Sequence, residues 1–343
     1  MKQIKDLVRE NIRNLKPYSS ARDEYKGKEG IFLDANENPY GELNRYPDPL
    51  QTELKQAISN LKNIPAENIF IGNGSDEIID LTFRIFCRPG IDKAVTLAPS
   101  YGMYDVAASI NDIGLVKVAL EKDFSIDPGR LRDALLQEDI KLFILCSPNN
   151  PTGNAFPKEA LIQLLKEFKG IILVDEAYID FSTSSSWMDE IEELRNLIVC
   201  QTFSKSSGLA AARVGIACSS DEIIKIYTSV KPPYNVSTLN QQAAIEALKN
   251  RDKTIRNIRQ IISSREGLAA SLAELDTVSK IYPSDANFLL VEFTDGPATF
   301  SELVKRKIIT RNRNNIVRNC IRITVGTEEE NHILIKELKA IGK

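Results

Sequence analysis

Short apolar runs punctuate the chain at intervals: NIFI (68–71), AVTLA (94–98), KLFILC (141–146), GIILV (170–174), LIVCQ (197–201) and VGIAC (214–218). Each is too short for a helix and too continuous for a strand with one face in water, so the pattern predicts strands buried on both faces. Between them, segments such as EALIQLLKEF carry apolar residues at helical spacing. Strands alternating with helices predict a mostly parallel α/β layer from about residue 45 to 235. The pattern changes after KPPYNVS (231–237): residues 237 to 275 read as one long connecting helix, interrupted at Gly267. Beyond it, strand-like pieces (ANFLLVEF, CIRITV) alternate with helical ones (ATFSELVKRK, EEENHILIKELKAI). The expected organisation is a large domain, residues 45–240, and a smaller α/β domain made of residues 1–44 together with 241–343. The start, MKQIKDLVRENIRNL, places apolar residues at 4, 7, 8, 12 and 15 among charges, the pattern of an amphipathic helix rather than a signal peptide.

Composition narrows the classes. With 343 residues, 43% hydrophobic and 27% charged, the chain is of ordinary globular composition and long enough for two domains. A net charge of -3 lacks the basic footprint of a nucleic-acid binder, and no run approaches membrane-spanning length. Cys87, Cys146, Cys200, Cys218 and Cys320 lie far apart and mostly within apolar runs, which points to reduced core thiols in a cytoplasmic protein and not to a metal site. The one histidine, His332, sits in a charged helical stretch, so histidine-based triads and zinc sites are excluded.

In open α/β sheets ligands bind beyond the carboxyl ends of the strands, so the residues after each run carry the candidate chemistry. GNGSDE (72–77) is a glycine-rich turn opening a helix, which offers free N–H groups to an anion provided that Asp76 and Glu77 turn away. PSYGMY (99–104) sets Tyr101 at the sheet edge, and SPNNPTG (147–153) presents Asn149 and Asn150 on a proline-stiffened loop. DEAYIDF (175–181) puts Asp175 at the end of a strongly apolar strand, where a charge needs a partner, with Tyr178 three residues on. QTFSKSSGLAAARVG (201–215) surrounds Lys205 with small residues and places Arg213 eight positions later. Taken singly, each has an ordinary structural explanation: a tight turn, a packing aromatic, an ion pair. Taken as a set, they match one ligand. A flat, phosphorylated pyridine aldehyde needs backbone donors and an arginine for its phosphate, a carboxylate for its ring nitrogen and donors for its phenolate oxygen. It also needs an aromatic to stack on and a lysine to bond its aldehyde, and pyridoxal phosphate is such a molecule.

The motifs LDANENPYG (33–41), LNRYPD (43–48), GNGSDE, SPNNPTG, VDEAYIDF, QTFSKSSGLAAARVG and CIRITVGT (320–327) follow one another across nearly the whole chain. In this the sequence resembles the fold-type I pyridoxal-phosphate aminotransferases, and ANENPYG with NRYPD makes it similar to their histidinol-phosphate branch. The resemblance implies a mostly parallel seven-stranded sheet between helices plus a smaller α/β domain. It makes Lys205 the Schiff-base lysine and proton shuttle, Asp175 the partner of the pyridinium, Asn150 and Tyr178 the donors to the phenolate oxygen, and Tyr101 the stacking ring. Gly74, Ser75, Asp76 (by its backbone N–H), Thr202, Ser204 and Arg213 would hold the phosphate. Arg322, Arg311, Tyr18 and Asn36 would receive substrate, with Tyr46 contributed across a homodimer to the neighbouring active site. No metal is implied. The activity implied is transamination between L-histidinol phosphate and 2-oxoglutarate, giving imidazole-acetol phosphate and L-glutamate, a step of histidine biosynthesis. A threonine-phosphate decarboxylase, an aromatic or broad-range aminotransferase and a non-catalytic ligand sensor are the competing readings. The sequence departs from the family pattern at Ser206, Ser207, Ala211 and Ala212, where a bulky aromatic and a Gly-Leu pair are common.

Overall fold

The computed structural model describes residues 3–18 and 30–342. A seven-stranded sheet is formed by β1 (Ile69–Asn73), β2 (Lys93–Ala98), β3 (Gly114–Ala119), β4 (Ile140–Cys146), β5 (Ile171–Asp175), β6 (Leu197–Thr202) and β7 (Val214–Ser219). Their order across the sheet is β1-β7-β6-β5-β4-β2-β3. All pairings from β6 to β3 are parallel, whereas β7 runs antiparallel to both β6 and β1.

The continuous apolar runs are explained by helices on both faces. Along β1 and β5, Ile69, Ile71, Ile172 and Val174 point into one core, shared with the helices Thr52–Lys62 and Lys158–Glu167. Phe70, Ile171 and Leu173 point into the other, shared with the helices Ser75–Phe86, Met103–Ile110 and Asp221–Val230. Burying a Leu, Ile or Phe side chain contributes roughly 1.5–3 kcal/mol relative to exposure, so a central strand with no polar face is anchored twice over. β3 has only Val118 buried, and its broken pattern escapes a search for continuous apolar runs. All five cysteines are buried free thiols.

A second, antiparallel sheet has the order β10-β11-β9-β8, formed by β8 (Val278–Ile281), β9 (Phe288–Phe293), β10 (Arg311–Asn312) and β11 (Cys320–Thr324). Leu289, Val291, Ile321 and Ile323 pack against helices that include Glu328–Ile341. That helix opens with a capping box between Thr327 and Glu330.

Two helical expectations are corrected. The segment 237–275 forms two helices, Thr238–Lys249 and Arg251–Ala273, and the break lies at Asn250, whose side-chain amide donates to the Glu246 carbonyl and to its carboxylate. Gly267 sits inside an unbroken helix, with open space where a Cβ would stand. The N-terminal amphipathic pattern yields two single turns, Ile4–Leu7 and Glu10–Arg13, instead of one helix. Between them the chain is extended, because Arg9 N–H donates to the Ile85 carbonyl (3.0 Å) and its guanidinium to the Arg84 carbonyl (2.8 Å).

Candidate active site

The carboxyl ends of β1, β5 and β6 and the start of β7 bring the candidate residues to one edge of the large sheet. Gly74, at φ +78°, ends β1 and opens the helix Ser75–Phe86, and no side chain caps the first-turn N–H groups. A Cβ on Gly74 would stand 2.6 Å from the Arg213 guanidinium, so only glycine lets the arginine lie against the turn. In the sheet Gly215 lies between Gly72 and Thr202, and a Cβ there would meet Gly74 C and Ser75 N at 2.5 Å.

Arg213 donates to Ser204 Oγ (3.4 Å) and to Asp76 Oδ2 (3.3 Å), while Ser204 N–H donates to Thr202 Oγ1 (3.1 Å). Residues 74–76, 202, 204 and 213 are thus neighbours, and the N–H, hydroxyl and guanidinium donors they bring together have the chemistry of a phosphate cradle. Of the two acidic residues in the turn, Glu77 points away, accepting from Asn73 N–H and Asn235 Nδ2. Asp76 instead turns towards the cradle, accepting from Arg213 and from the Tyr101 hydroxyl (3.3 Å).

Asp175 follows Val174 at the end of β5, and alternation puts its side chain on the face of the sheet occupied by the helix Met103–Ile110. There the Tyr104 hydroxyl donates to Asp175 Oδ2 (2.8 Å), and Ala177 N–H donates to Oδ1 (3.1 Å). Burial nevertheless raises the carboxyl to about 6, with these two bonds and Lys205 pulling the other way. Among the described residues, no hydrogen bond or ion pair joins this carboxylate directly to a cation. Lys205 lies 5.6 Å over the Tyr178 ring. Burial, then the charge of Arg322, lowers its proton affinity, so more of it is neutral at a given pH than of a solvated lysine.

The loop after β4 is pinned by buried Asn149, which donates to the Pro99 carbonyl (2.9 Å) and Thr152 Oγ1 (2.7 Å) and accepts from Ser100 Oγ (2.9 Å). Pinning Asn149 leaves Asn150 to face the cleft, where its amide reaches the Tyr178 hydroxyl (3.4 Å) and its carbonyl oxygen accepts from Arg322. Arg322 comes from β11, and its guanidinium lies 5.2 Å over the Phe288 ring, which in turn meets Tyr178 edge-on at 5.2 Å. The second sheet thus supplies the far wall of the cleft.

The structure does not bring every candidate here. Asn36 and Tyr46 line a separate groove with Ser237 and Leu239, where Tyr46 stacks on Tyr234 at 4.4 Å. Tyr18 is 73% exposed and has no contact with the cleft among the described residues. Arg311 pairs with Arg322 across β10 and β11.

A profile of the family "Aminotransferase class I and II" matches residues 27–338. A histidinol-phosphate aminotransferase of Cytophaga hutchinsonii is 48% identical, with 98% of each chain covered. The chain belongs to the histidinol-phosphate aminotransferases, within the class I and II family. Among solved structures, that of the histidinol-phosphate aminotransferase from Clostridium acetobutylicum superposes with a TM-score of 0.81 at 26% identity, covering 88% of this chain and 91% of that one. The enzyme of the same name from Sinorhizobium meliloti, in complex with pyridoxal-5′-phosphate, shares the fold with a TM-score of 0.78 at 24% identity, covering 87% of this chain and 83% of that one.

Four residues of this aminotransferase site escape a reading of the sequence. Tyr104 stands in the same PSYGMY stretch as Tyr101, one helical turn on, but only its bond to Asp175 gives it a role. Gly215 ends the lysine block, and its function is visible only in the register of β7. Glu176, next to Asp175, is buried and accepts from Ser186 Oγ, Trp187 N–H and Gln201 Nε2, which anchors the loop carrying Tyr178. Arg313 reads as part of a solvated basic loop, yet its Nε is buried.

Proposed function

We propose that this chain transfers an amino group between L-histidinol phosphate and 2-oxoglutarate with pyridoxal phosphate as cofactor, giving imidazole-acetol phosphate and L-glutamate. The observation that carries this reading is a single cleft holding a desolvated lysine, a buried carboxylate at a strand end, and a phosphate cradle. The residues fit the cofactor: the glycine turn and Arg213 suit its phosphate, Asp175 its ring nitrogen, Asn150 and Tyr178 its phenolate oxygen, and Tyr101 its ring face. When bound, pyridoxal phosphate supplies a carbonyl for the amine and an electron-withdrawing ring that acidifies the neighbouring C–H. Asp175, ionised, holds positive charge on the ring nitrogen. Lys205 Nζ, poised by burial towards its neutral form, takes the proton from the substrate carbon bearing the amine. The partial wall formed by Phe288, Tyr178 and Arg322 restricts water at that nitrogen. Arg213 exchanges Asp76 for the cofactor phosphate.

Arg322 and Arg311 receive the anionic end of either substrate, while Tyr18 and Asn36, which lie away from this cleft in the single chain, would serve a site completed by a second subunit. The enzyme works as a homodimer in which Tyr46 serves the neighbouring subunit's site. Support comes from the segment before it, where Ile31, Leu33, Tyr40 and Leu43 are between 68 and 91% exposed. No helix among the described residues is long and apolar enough to cross a membrane, and the buried free thiols suit a reducing cytoplasm.

The test is an absorbance titration of the yellow holoenzyme. Adding L-histidinol phosphate should bleach the visible band, and 2-oxoglutarate should restore it. A band that ignores histidinol phosphate overturns the substrate, carbon dioxide release would replace transamination with decarboxylation, and a protein that cannot be reconstituted with colour overturns the cofactor.

A further inference from the structure

Antiparallel pairing of β10 with β11 sets Arg311 opposite Arg322, and two residues on, Arg313 N–H donates to the Cys320 carbonyl at 2.9 Å. Three guanidiniums are thereby held on neighbouring positions of one sheet edge. None of the three is in an ion pair with an acidic side chain among the described residues. The Nε atoms of both Arg313 and Arg322 are buried without a hydrogen-bond acceptor. Buried donors are almost always satisfied, so two orphaned guanidinium N–H groups side by side mark a place shaped for an anion.

The charges feel one another. Burial, then Arg322 and Arg311, lowers the Arg313 guanidinium to about 10, while the Tyr178 hydroxyl pulls it back up. Arg322 is likewise held down by burial and by Arg311 and drawn up by Tyr178. Arg322 donates to Asn150, whose amide reaches the Tyr178 hydroxyl, and alternation along the strands puts Arg311 and Arg313 on the same face of the sheet as Arg322, so the cluster lies on the face turned to the amine-binding cleft. A carboxylate, with one charge and two oxygens, satisfies one guanidinium fork. A phosphate monoester, with up to two charges and three terminal oxygens, satisfies two.

Resting on the reading of the amine substrate as a phosphate ester, we propose that Arg313 is a specificity-determining residue. It adds a donor to the substrate phosphate beyond those of Arg322 and Arg311, and makes the site prefer a phosphorylated amine to a substrate bearing carboxylates alone. Glutamate and 2-oxoglutarate use Arg322 without needing Arg313.

Holoenzymes of the wild type, Arg313→Gln and Arg313→Lys are to be compared in separate half-reactions, followed by the visible absorbance. Losing one charge-assisted donor pair should raise the half-saturating concentration of histidinol phosphate about tenfold or more in Arg313→Gln, with the limiting rate changed less than about threefold. The half-saturating glutamate concentration should shift less than about threefold, and Arg313→Lys should fall between wild type and Arg313→Gln for the phosphate substrate alone. Competitive inhibition of the glutamate half-reaction by inorganic phosphate should weaken in the same proportion as histidinol phosphate binding. Thermal stability without substrate should not fall in Arg313→Gln, because the substitution relieves like-charge repulsion. Equal losses for both substrates with a lowered melting temperature would make Arg313 structural, and an unchanged response to histidinol phosphate would also overturn the proposal. A wild type that ignores histidinol phosphate overturns the functional reading instead. Inorganic phosphate inhibition then decides the role of Arg313 alone, and an unchanged inhibition constant in Arg313→Gln rejects it.

Discussion

Asp175 binds its proton more tightly in the folded chain than an exposed carboxyl does, because the desolvation of its charge outweighs the bonds from Tyr104 and Ala177. An acid raised in this way carries more protons folded than unfolded between roughly pH 4 and 6, so the stability of the cofactor-free protein falls as pH rises through that window. Cofactor affinity has the opposite sign, since only the ionised carboxylate attracts a positive ring nitrogen. Binding of pyridoxal phosphate to the apoenzyme should therefore weaken as pH drops from 7.5 towards 5, with a midpoint near 6, and Asp175→Asn should flatten the profile. Tyr104→Phe removes a donor to the charged form and should move the midpoint up by about one unit, equivalent to ~1.4 kcal/mol. Equilibrium fluorescence titration across that range checks all three. A midpoint that stays put in Tyr104→Phe would reduce Tyr104 to packing.

At the scale of elements, the cradle depends on how closely β7 approaches the turn after β1. A Cβ on Gly215 would meet backbone atoms of Gly74 and Ser75 at 2.5 Å, and backbone cannot swing aside as a side-chain tip can. Gly215→Ala should weaken cofactor binding about tenfold or more while lowering the melting temperature by only a few degrees, the mark of a displaced turn in an intact sheet. Dialysis of the reconstituted variant checks this, and cofactor retention equal to wild type would reject it. The strands that bear the site were legible in the sequence because helices cover both of their faces, which leaves no polar residue to break the run. β3 was not, because four of its six residues are half-buried or exposed in succession before Val118. The direction of β7 was hidden as well, since a strand buried on both faces has the same composition whichever way it runs. Gly267 has the residue type of a helix stop, yet the interruption lies at Asn250, whose side chain bonds back to Glu246. Lys205, Asp175 and Arg213 stood out by residue type at strand ends, whereas Tyr104 and Arg313 gained meaning only from the partners they face or lack.

At the scale of the whole molecule, the two sheets meet at the cleft through Tyr178 and Asn150 on one side and Phe288 and Arg322 on the other, and beside it through Phe124 packed on Tyr282 and Asp285 bonded to Gly153 and Ala155. The exposed apolar segment around Leu33 and Tyr40 lies outside both sheets, and the proposed homodimer would cover it with a second copy of the chain. The paired variant Leu33→Asp, Tyr40→Asp should shift the molecular mass in solution from dimer to monomer and reduce turnover by at least about tenfold, because the Tyr46 contribution is lost with the partner. Light scattering after size-exclusion chromatography reads the first effect, and a monomeric wild type would refute the arrangement. The reversed strand β7 has a wider consequence. Because it runs against β6 and β1, its first residues stand beside their last ones, so the phosphate cradle draws on three adjacent strands, of which β1 is the outermost. A bound phosphate thus acts as a clasp on the margin of the sheet. The outer strand is itself covered, with Ile69, Phe70 and Ile71 buried and the Ile71 carbonyl accepting from Asn235, so a ligand held here would tie the margin of the sheet to its interior.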